Sequence, residues 1–207
     1  MFKILLFLSV LLPQLTYAEE FIAGKDYFVE QHPVLNAPRV VEFISFNCSH
    51  CYYYEVGSDL NSFIKASLPA GISFTQYHTS RINPLGQELT RAWAVAETKG
   101  VAGQVKPKIF NAIQKSHAVH SVDDIQELLT SKQLPLGEIK KAWSSDKVNA
   151  LVSTQDSLAE ALELHSVPSI YIDGKYRINN ASFTSTDESS VKNRYAALIK
   201  YPLNKTD

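Results

Sequence analysis

The sequence predicts an α/β fold in which a block of helices lies between two segments that contain strands. Three observations lead to this prediction. An apolar run at residues 40–46 is typical of a central strand that is covered on both faces. From about residue 84 to residue 166 the apolar residues recur with a helical period. Residues 169–178 then give a β-hairpin signal, and a last helix follows.

The composition is that of a globular protein that can bury a hydrophobic core. Hydrophobic residues make up 45% and charged residues 20% of the 207 residues, which excludes disordered, collagen-like and coiled-coil proteins. The formal net charge is −1, so no strong field attracts the protein to nucleic acid or to an anionic membrane. Cys48 and Cys51 are the only cysteines of the sequence, which excludes a scaffold built from several disulfides.

Residues 1–18 have the pattern of a secretory signal peptide. A lysine at position 3 precedes an apolar run from Ile4 to Leu12, and the small residue Ala18 stands before two glutamates. The run is shorter than the roughly 20 residues that cross a bilayer, so a retained membrane anchor is the weaker alternative. We therefore expect cleavage after Ala18 and a mature protein that acts outside the cytoplasm, where disulfides persist.

The first structural unit is predicted to be a strand, a helix and a second strand. The run at residues 40–46 is apolar on both faces, so the carboxyl group of Glu42 is expected to be buried. Residues 51–64 carry apolar side chains at helical spacing, which places the two cysteines where the strand turns into the helix. In a second strand over residues 72–77, Gln76 lies on the same face as its apolar neighbours.

Turn and capping signals divide the helical block. A helix over residues 88–99 is ended by Gly100, and Ser121–Asp124 resembles a capping box that begins another helix. Pro107 and Pro135 are predicted to mark further segment ends, and one long helix is predicted to end near Ser166.

Strands return after the helical block. Residues 169–172 and 175–178 are predicted to pair as a hairpin, because the two residues between them are the turn-forming pair Asp173–Gly174. A last helix is predicted at residues 187–201, and Pro202 is expected to end it. The hairpin and the last helix therefore form the second strand-containing segment of the predicted α/β fold.

A C-x-x-C pair at the start of a helix indicates dithiol chemistry. The sulfur of Cys48 would lie at the helix N-terminus, where unpaired N–H groups and the helix dipole favour a thiolate. Cys51 lies one turn further in and can resolve a mixed disulfide that forms at Cys48. His50 can add positive charge or an N–H donor beside the first sulfur. A stabilised thiolate favours the dithiol over the disulfide and makes the oxidised form a stronger oxidant.

Other uses of the two cysteines need further residues or explain less. A zinc site needs four ligands, so the missing ones would have to come from His78 or from the pair His117 and His120. Covalent haem attachment requires a histidine after the second cysteine, where Tyr52 stands. A structural disulfide that closes so small a loop would constrain the unfolded chain little. Glu42 fits either a hydrogen-bonded buried carboxylate or a proton carrier for the second cysteine.

Several segments together resemble the DsbA family of thiol:disulfide oxidoreductases. A C-x-H-C loop that is followed by a Val-Pro pair and a Gly-Lys-Tyr segment is a specific combination, whereas C-x-x-C alone is a weak signal. The resemblance covers nearly the whole chain after residue 18. The segments that carry it are Val41–Phe43, Phe46–Tyr52, Gln76–His78, Ala92–Ala96, Val167–Pro168 and Asp173–Tyr176.

The resemblance implies a thioredoxin fold that is interrupted by an all-helical domain. The thioredoxin-like domain is then expected at residues 19–80 and 157–207, and the helical insertion domain at residues 81–156. This division follows the order of elements that the hydrophobic pattern predicts.

The site residues of the family transfer to matching positions of this sequence. By this match Cys48 is the nucleophilic cysteine, Cys51 is the resolving cysteine, and His50 stabilises the thiolate. Pro168 becomes the cis-proline beside the pair, and the backbone of Val167 can bind an extended substrate segment. Pairing through the main chain tolerates many side chains, so a broad range of clients is expected.

The family also implies an activity and partners. An oxidised Cys48–Cys51 disulfide would pass, through a mixed disulfide, to unfolded secreted proteins in the periplasm. A quinone-linked DsbB-type protein of the inner membrane would reoxidise the dithiol. We expect no cofactor other than this disulfide, no metal and no nucleic-acid partner, and we expect a monomer. The alternatives are a reductase or isomerase that uses the same dithiol, and a non-catalytic module that binds metal or protein.

Two positions depart from the family pattern. Many members carry proline after the first cysteine, where Ser49 restores an N–H group and loop flexibility. Many also carry lysine opposite the buried glutamate, where Gln76 stands. Without that ammonium group, we expect burial to make Glu42 more easily protonated at neutral pH. Our hypothesis is that Glu42 still passes protons to and from Cys51.

Overall fold

The computed structural model describes residues 20–204 and contains a five-stranded mixed sheet with helices on both faces. The strands are β1 (Tyr27–Val29), β2 (Val40–Ile44), β3 (Phe74–His78), β4 (Ser169–Ile172) and β5 (Tyr176–Ile178). The helices are α1 (Ser49–Tyr52), α2 (Leu60–Ser67), α3 (Gly86–Thr98), α4 (Ala102–Gln114), α5 (Val122–Leu128), α6 (Leu136–Trp143), α7 (Asp146–Ala161) and α8 (Glu188–Leu203). A π-helical segment (Tyr53–Gly57) follows α1, and a 3-10 turn (Asn180–Ser182) precedes α8.

The sheet has the strand order β1–β5–β4–β2–β3. Strands β2 and β3 are parallel, and the other neighbouring pairs are antiparallel. All five residues of β2 are buried, as predicted for a central strand. The parallel register places Glu42 of β2 directly beside Gln76 of β3. The carboxyl end of β2 leads into the two cysteines and α1, so the sheet fixes the position of the cysteine pair.

Helices cover both faces of the sheet. On one face, the strands pack against α2 and α8 through side chains such as Ile64 and Ile199. On the other face, Phe43 and Tyr171 pack against Leu158 in the C-terminal half of α7. The α/β class with an intervening helical block is therefore confirmed.

The helical block has a core of its own that reaches the cysteine pair. Trp93 of α3, Phe110 of α4 and Ile125 of α5 are buried together in this core. Phe46 and Cys51 belong to the same cluster of buried side chains. The helices of the insertion therefore pack directly against the turn that carries the cysteines.

The predicted limits of the two domains stay a prediction. The limit at residue 156 falls inside α7, which is continuous through that position. Val148 in its first half belongs to the helical core, whereas Leu158 in its second half packs on the sheet. The predicted signal peptide, residues 1–18, lies outside the described residues. No helix within residues 20–204 is both long and apolar enough to span a membrane.

Four local predictions are wrong, and one strand was not predicted. Pro107 does not mark the end of a segment, because it lies inside α4. The helix predicted at residues 51–64 is broken, because the chain widens into the π-helical segment and Asp59 takes a left-handed backbone conformation with φ of 52°. The predicted long helix ends at Ala161 rather than near Ser166, and β1 was not predicted as a strand. Pro202 does not end α8, which continues to Leu203. The fixed φ of proline is compatible with a helix, and its missing N–H removes only one hydrogen bond from the last turn.

Candidate active site

The turn between β2 and α1 presents the sulfur of Cys48 at the start of a helix. Cys48 is the N-cap residue of α1, and its sulfur accepts a hydrogen bond from the backbone N–H of Cys51 at 3.4 Å. In the thiol form the same sulfur donates to the carbonyl oxygen of Val167 at 3.4 Å. Both cysteines are free thiols, and Cys48 is only half-buried. Its sulfur is therefore the accessible one of the pair.

Hydrogen bonds lower the pKa of Cys48 from 9.0 to about 6. The largest cause is a hydrogen bond that the thiol of Cys51 donates to the Cys48 sulfur. The backbone N–H groups of Cys51 and His50 and the charge of His50 act in the same direction, whereas burial opposes them. A thiol of this pKa is about nine-tenths ionised at pH 7. Cys48 is therefore a thiolate in neutral solution, which is the nucleophilic form of cysteine.

Cys51 and Glu42 are fully buried next to the accessible sulfur. Burial raises the pKa of the Cys51 thiol far above its ordinary value, and the nearby charges of Cys48 and Glu42 raise it further. Burial also raises the pKa of Glu42 to about 8, although hydrogen bonds from Gln76 and Asn61 lower it. The sequence prediction that Glu42 is buried is confirmed, and both groups hold a proton in neutral solution.

A polar network surrounds the carboxyl group of Glu42. Its Oε2 atom accepts hydrogen bonds from Gln76 Nε2 at 2.6 Å and from Asn61 Nδ2 at 2.9 Å. The same two amide groups donate to Glu55 Oε2, at 3.3 and 3.0 Å. Lys106 Nζ donates to Gln76 Oε1 at 2.6 Å and forms a salt bridge of 2.5 Å with Glu55 Oε1. Side chains from β2, the π-helical segment, α2, β3 and α4 thus meet in one network.

The loop before β4 lies against the reactive sulfur. The peptide bond between Val167 and Pro168 is cis, as the resemblance implies. The Pro168 carbonyl accepts a hydrogen bond of 2.7 Å from Asn180 Nδ2. Asn180 Oδ1 accepts from the Tyr195 hydroxyl at 3.0 Å, and that hydroxyl lies 2.9 Å from the hydroxyl of Tyr54. This chain of hydrogen bonds connects the loop to the helical turn after the cysteines.

The histidines that a zinc site would need do not form a metal-binding group with the cysteines among the described residues. His78 Nε2 accepts from the backbone N–H of Phe46 at 3.0 Å, and its Nδ1 lies 2.8 Å from the Thr90 hydroxyl. Burial lowers the pKa of His78 to about 3, so the ring is neutral and both nitrogens are occupied. His117 and His120 are exposed in the connection between α4 and α5. Within residues 20–204, no three His, Cys, Asp or Glu side chains form a group that could hold a metal ion.

Sequence reasoning missed several residues of the site. Glu55 lies in the π-helical segment and Asn61 in α2, where spacing alone does not distinguish a buried polar residue from an exposed one. Lys106 lies in the helical block, and its partners are on other elements, so no local pattern marks it. Asn180 likewise acquires its contact with the proline loop only in the folded chain.

Comparisons with known proteins agree with this geometry. A family profile described as a DSBA-like thioredoxin domain matches residues 66–196. The thiol:disulfide interchange protein DsbA of Salmonella typhimurium is 36% identical over 188 residues, which cover 91% of each chain. A crystal structure of DsbA from Klebsiella pneumoniae has a TM-score of 0.87 and 34% identity, and the match covers 91% of this chain and 100% of that chain.

A second solved structure adds a bound peptide. This is DsbA from Proteus mirabilis in complex with a non-covalently bound peptide, with a TM-score of 0.87 and 34% identity. The match covers 90% of this chain and 100% of that chain. The thioredoxin fold with a helical insertion is therefore confirmed. The chain belongs to the DsbA family and is a thiol:disulfide oxidoreductase.

Proposed function

We propose that the protein donates its Cys48–Cys51 disulfide to unfolded secreted proteins in the periplasm. The observation that supports this direction is the difference between the two sulfurs. Cys48 is accessible and has a pKa of about 6, whereas Cys51 is fully buried and its pKa is raised. Stabilising the Cys48 thiolate favours the dithiol over the disulfide, so electrons flow from a client to the protein.

Donation proceeds through a mixed disulfide at the accessible sulfur. A client thiolate attacks the sulfur of Cys48, the Cys48–Cys51 bond breaks, and Cys51 leaves with the electron pair as a thiolate. A second client thiolate then attacks the client sulfur of the mixed disulfide and releases Cys48 as its thiolate. The client gains one disulfide, and the protein gains the two electrons and becomes the dithiol.

Glu42 is proposed to handle the proton of Cys51. The leaving Cys51 thiolate is buried, so it needs a proton that solvent does not supply directly. Because the pKa of Glu42 is about 8, its carboxyl group is protonated at neutral pH and can donate that proton. In the reverse step the Glu42 carboxylate takes the proton back when Cys51 attacks Cys48. The influence of the Glu42 charge on the pKa of Cys51 supports this coupling.

Val167 and Pro168 are proposed to bind the client beside the reactive sulfur. Pro168 has no backbone N–H and lies directly before the first residue of β4. The carbonyl oxygen of Val167 lies 3.4 Å from the Cys48 sulfur. An extended client segment can pair with this backbone without a fixed side-chain sequence. The Proteus mirabilis relative has been solved with a non-covalently bound peptide, which supports peptide binding in this protein. Unfolded proteins with reactive cysteines are therefore the proposed clients.

Location and partners follow from the sequence and the family. The predicted signal peptide directs the chain across the inner membrane, and the periplasm allows disulfides to persist. A DsbB-type inner-membrane protein is the proposed electron acceptor that restores the disulfide. The disulfide itself carries the two electrons, so the reaction needs no metal or organic cofactor. One chain supplies Cys48, Cys51, Glu42 and the proline loop, which is consistent with action as a monomer.

The reduction potential separates a disulfide donor from a reductase that uses the same dithiol. At pH 7 a pKa near 6 stabilises the dithiol by about 1.4 kcal/mol, which corresponds to about 30 mV. We expect equilibration with glutathione to give a potential clearly less negative than the value of about −270 mV that is typical of thioredoxin. A potential equal to or below that of thioredoxin would favour the reductase.

A titration tests what His50 contributes to the Cys48 thiolate. In the reduced protein, the ultraviolet absorbance of the thiolate is expected to titrate with a midpoint of about 6. The variant His50→Ala should raise this midpoint by less than about one unit, because the exposed imidazole is lost while the backbone N–H remains. Ser49→Ala serves as the control in the same loop. A rise toward 9 in His50→Ala would show that the imidazole, rather than the hydrogen bonds, stabilises the thiolate.

A further inference from the structure

A lysine of the helical insertion reaches the polar network around Glu42. Lys106 extends from α4 so that its ammonium group contacts both Gln76 Oε1 and Glu55 Oε1. The side chains of Lys106 and Glu55 are only 12% and 9% exposed, so the surrounding protein screens this pair less than water would. Trp93 covers the ammonium from a further side, with its ring centre 5.7 Å from Nζ. Position 76, where many family members carry lysine, holds a glutamine here, and α4 supplies an ammonium group to the network instead.

The contact with Lys106 fixes which way the amide group of Gln76 points. An ammonium group can only donate hydrogen bonds, so it selects the carbonyl oxygen of Gln76. The amino group of Gln76 then faces Glu42 Oε2 at 2.6 Å. A donor in this position stabilises the ionised form of Glu42. If the amide were reversed, its carbonyl oxygen would face Glu42 and would favour the protonated form.

We propose that Lys106 is a positioning residue of the redox site. It holds the amino group of Gln76 toward Glu42 and thereby stabilises the ionised carboxylate of Glu42 near neutral pH. The inference rests on the proposed proton transfer between Glu42 and Cys51. Through Lys106, the helical insertion takes part in the chemistry of the thioredoxin-like half of the chain.

Other charged groups near Glu42 do not replace this role. The titratable groups that face Glu42 are Cys51 from α1, Tyr54 and Glu55 from the π-helical segment, Lys106 from α4 and Tyr195 from α8. Lys106 is the cation of this set, and its charge opposes both burial and the charge of Glu55. Asp59, Lys65 and Glu97 line the same cavity of about 520 Å³ together with Glu55, Gln76 and Lys106. The cavity gives solvent protons access to the network.

The role of Lys106 affects one half of the redox cycle more than the other. When Cys51 leaves the disulfide, it takes a proton from protonated Glu42, and this step does not need the carboxylate. When Cys51 attacks a mixed disulfide at Cys48, its proton must pass to ionised Glu42. Loss of Lys106 should therefore slow the second step near pH 7 and leave the first step nearly unchanged.

The second step can be isolated in the full-length mature protein. Cys48 is first converted to a mixed disulfide with glutathione. The Cys51 thiol then transfers its proton to Glu42, its sulfur attacks Cys48, the Cys48–Cys51 bond forms, and glutathione leaves as a thiolate. The measurement is the rate of glutathione release as a function of pH. For Lys106→Gln we expect the midpoint of this profile to rise by about one unit, which lowers the rate at pH 7 about tenfold.

Two variants decide whether the charge itself is responsible. Lys108→Gln makes the same chemical change at an exposed position of the same helix and should leave the profile unchanged. The exchange variant, with Lys106→Gln and Gln76→Lys together, returns an ammonium group from β3 and should restore the wild-type midpoint. An unshifted profile in Lys106→Gln, or an equal shift in Lys108→Gln, would overturn the proposal.

Folding defects and failure of the proposed function give different results. If Lys106→Gln does not fold, two other variants test the proposal. Lys106→Arg keeps the charge, and the exchange variant returns it from β3, so both are expected to keep the wild-type midpoint. A shift of the midpoint in either variant overturns the proposal. Disulfide donation to a client peptide at pH 7 should differ less than about twofold between Lys106→Gln and the wild type, since that step uses protonated Glu42. If wild-type protein releases no glutathione at any pH, the proposed function itself is wrong.

Discussion

Replacing Cys48 with serine is expected to lower thiol:disulfide exchange by at least about 10³-fold. A serine hydroxyl neither ionises near neutral pH nor forms a disulfide, and the remaining sulfur of Cys51 is fully buried. The measurement is oxidation of a peptide that contains two thiols, with the oxidised wild-type protein as reference. The exposed neighbour provides a control, since Ser49→Ala keeps both sulfurs and should retain activity.

The variant Cys51→Ala tests whether Cys48 forms the mixed disulfide before Cys51 resolves it. With the resolving thiol removed, mixed disulfides between Cys48 and its clients should accumulate and be visible by non-reducing electrophoresis. The sequence holds no third cysteine, so each such adduct must pass through Cys48. Retained exchange in Cys48→Ser would contradict the mechanism, as would the absence of adducts in Cys51→Ala together with normal turnover.

The elements that could be predicted from the sequence are those with strong local patterns. β2 is apolar on both faces, and the Asp173–Gly174 turn fixes the hairpin of β4 and β5, so both were predicted close to their observed limits. β1 has three residues and a single buried side chain, and its partner strand is the distant β5. Its pairing depends on tertiary structure, which a local pattern does not contain.

The site divides in the same way. The C-x-x-C spacing predicts the start of α1, and the strand pattern predicts the burial of Glu42, because both depend on neighbouring residues. The neighbours of Glu42 could be predicted only in part, since Gln76 lies on the adjacent strand but Lys106 arrives from the insertion. Because Gln76 stands where many family members carry lysine, we expected no ammonium group from that position and a more easily protonated Glu42. Burial does raise the pKa of Glu42, but an ammonium group still reaches the network from a different part of the chain.

Replacing Glu42 with glutamine is expected to stabilise the reduced protein and to slow its chemistry. Burial raises the pKa of Glu42 to about 8 in the folded state, from 4.5 as its ordinary value. A raised folded-state pKa stabilises the fold fully below pH 4.5, and this contribution is lost as the pH rises toward 8. Glutamine fills the same space without this loss, since its carbonyl oxygen can still accept from Gln76 and Asn61.

The stability difference should therefore depend on pH. Near pH 4 the free energies of unfolding of Glu42→Gln and the wild type should be nearly equal. At pH 7 the variant should be more stable by about 3 kcal/mol, because the unfolded wild type gains from ionising Glu42 and the unfolded variant does not. Denaturant unfolding of the dithiol form across this pH range measures the difference. Glu127→Gln, which removes an exposed carboxylate from α5, is the control and should leave the stability difference unchanged across this range.

The rate of the Cys51 attack should change in the opposite direction. Without a group that can accept its proton, release of glutathione from the mixed disulfide should fall by on the order of 10²-fold and lose the pH dependence set by Glu42. A variant that is more stable yet slower cannot owe its lower rate to misfolding. An unchanged rate across pH would instead leave Glu42 as a buried structural carboxylate, and the proton of Cys51 would then have to exchange with solvent by another route.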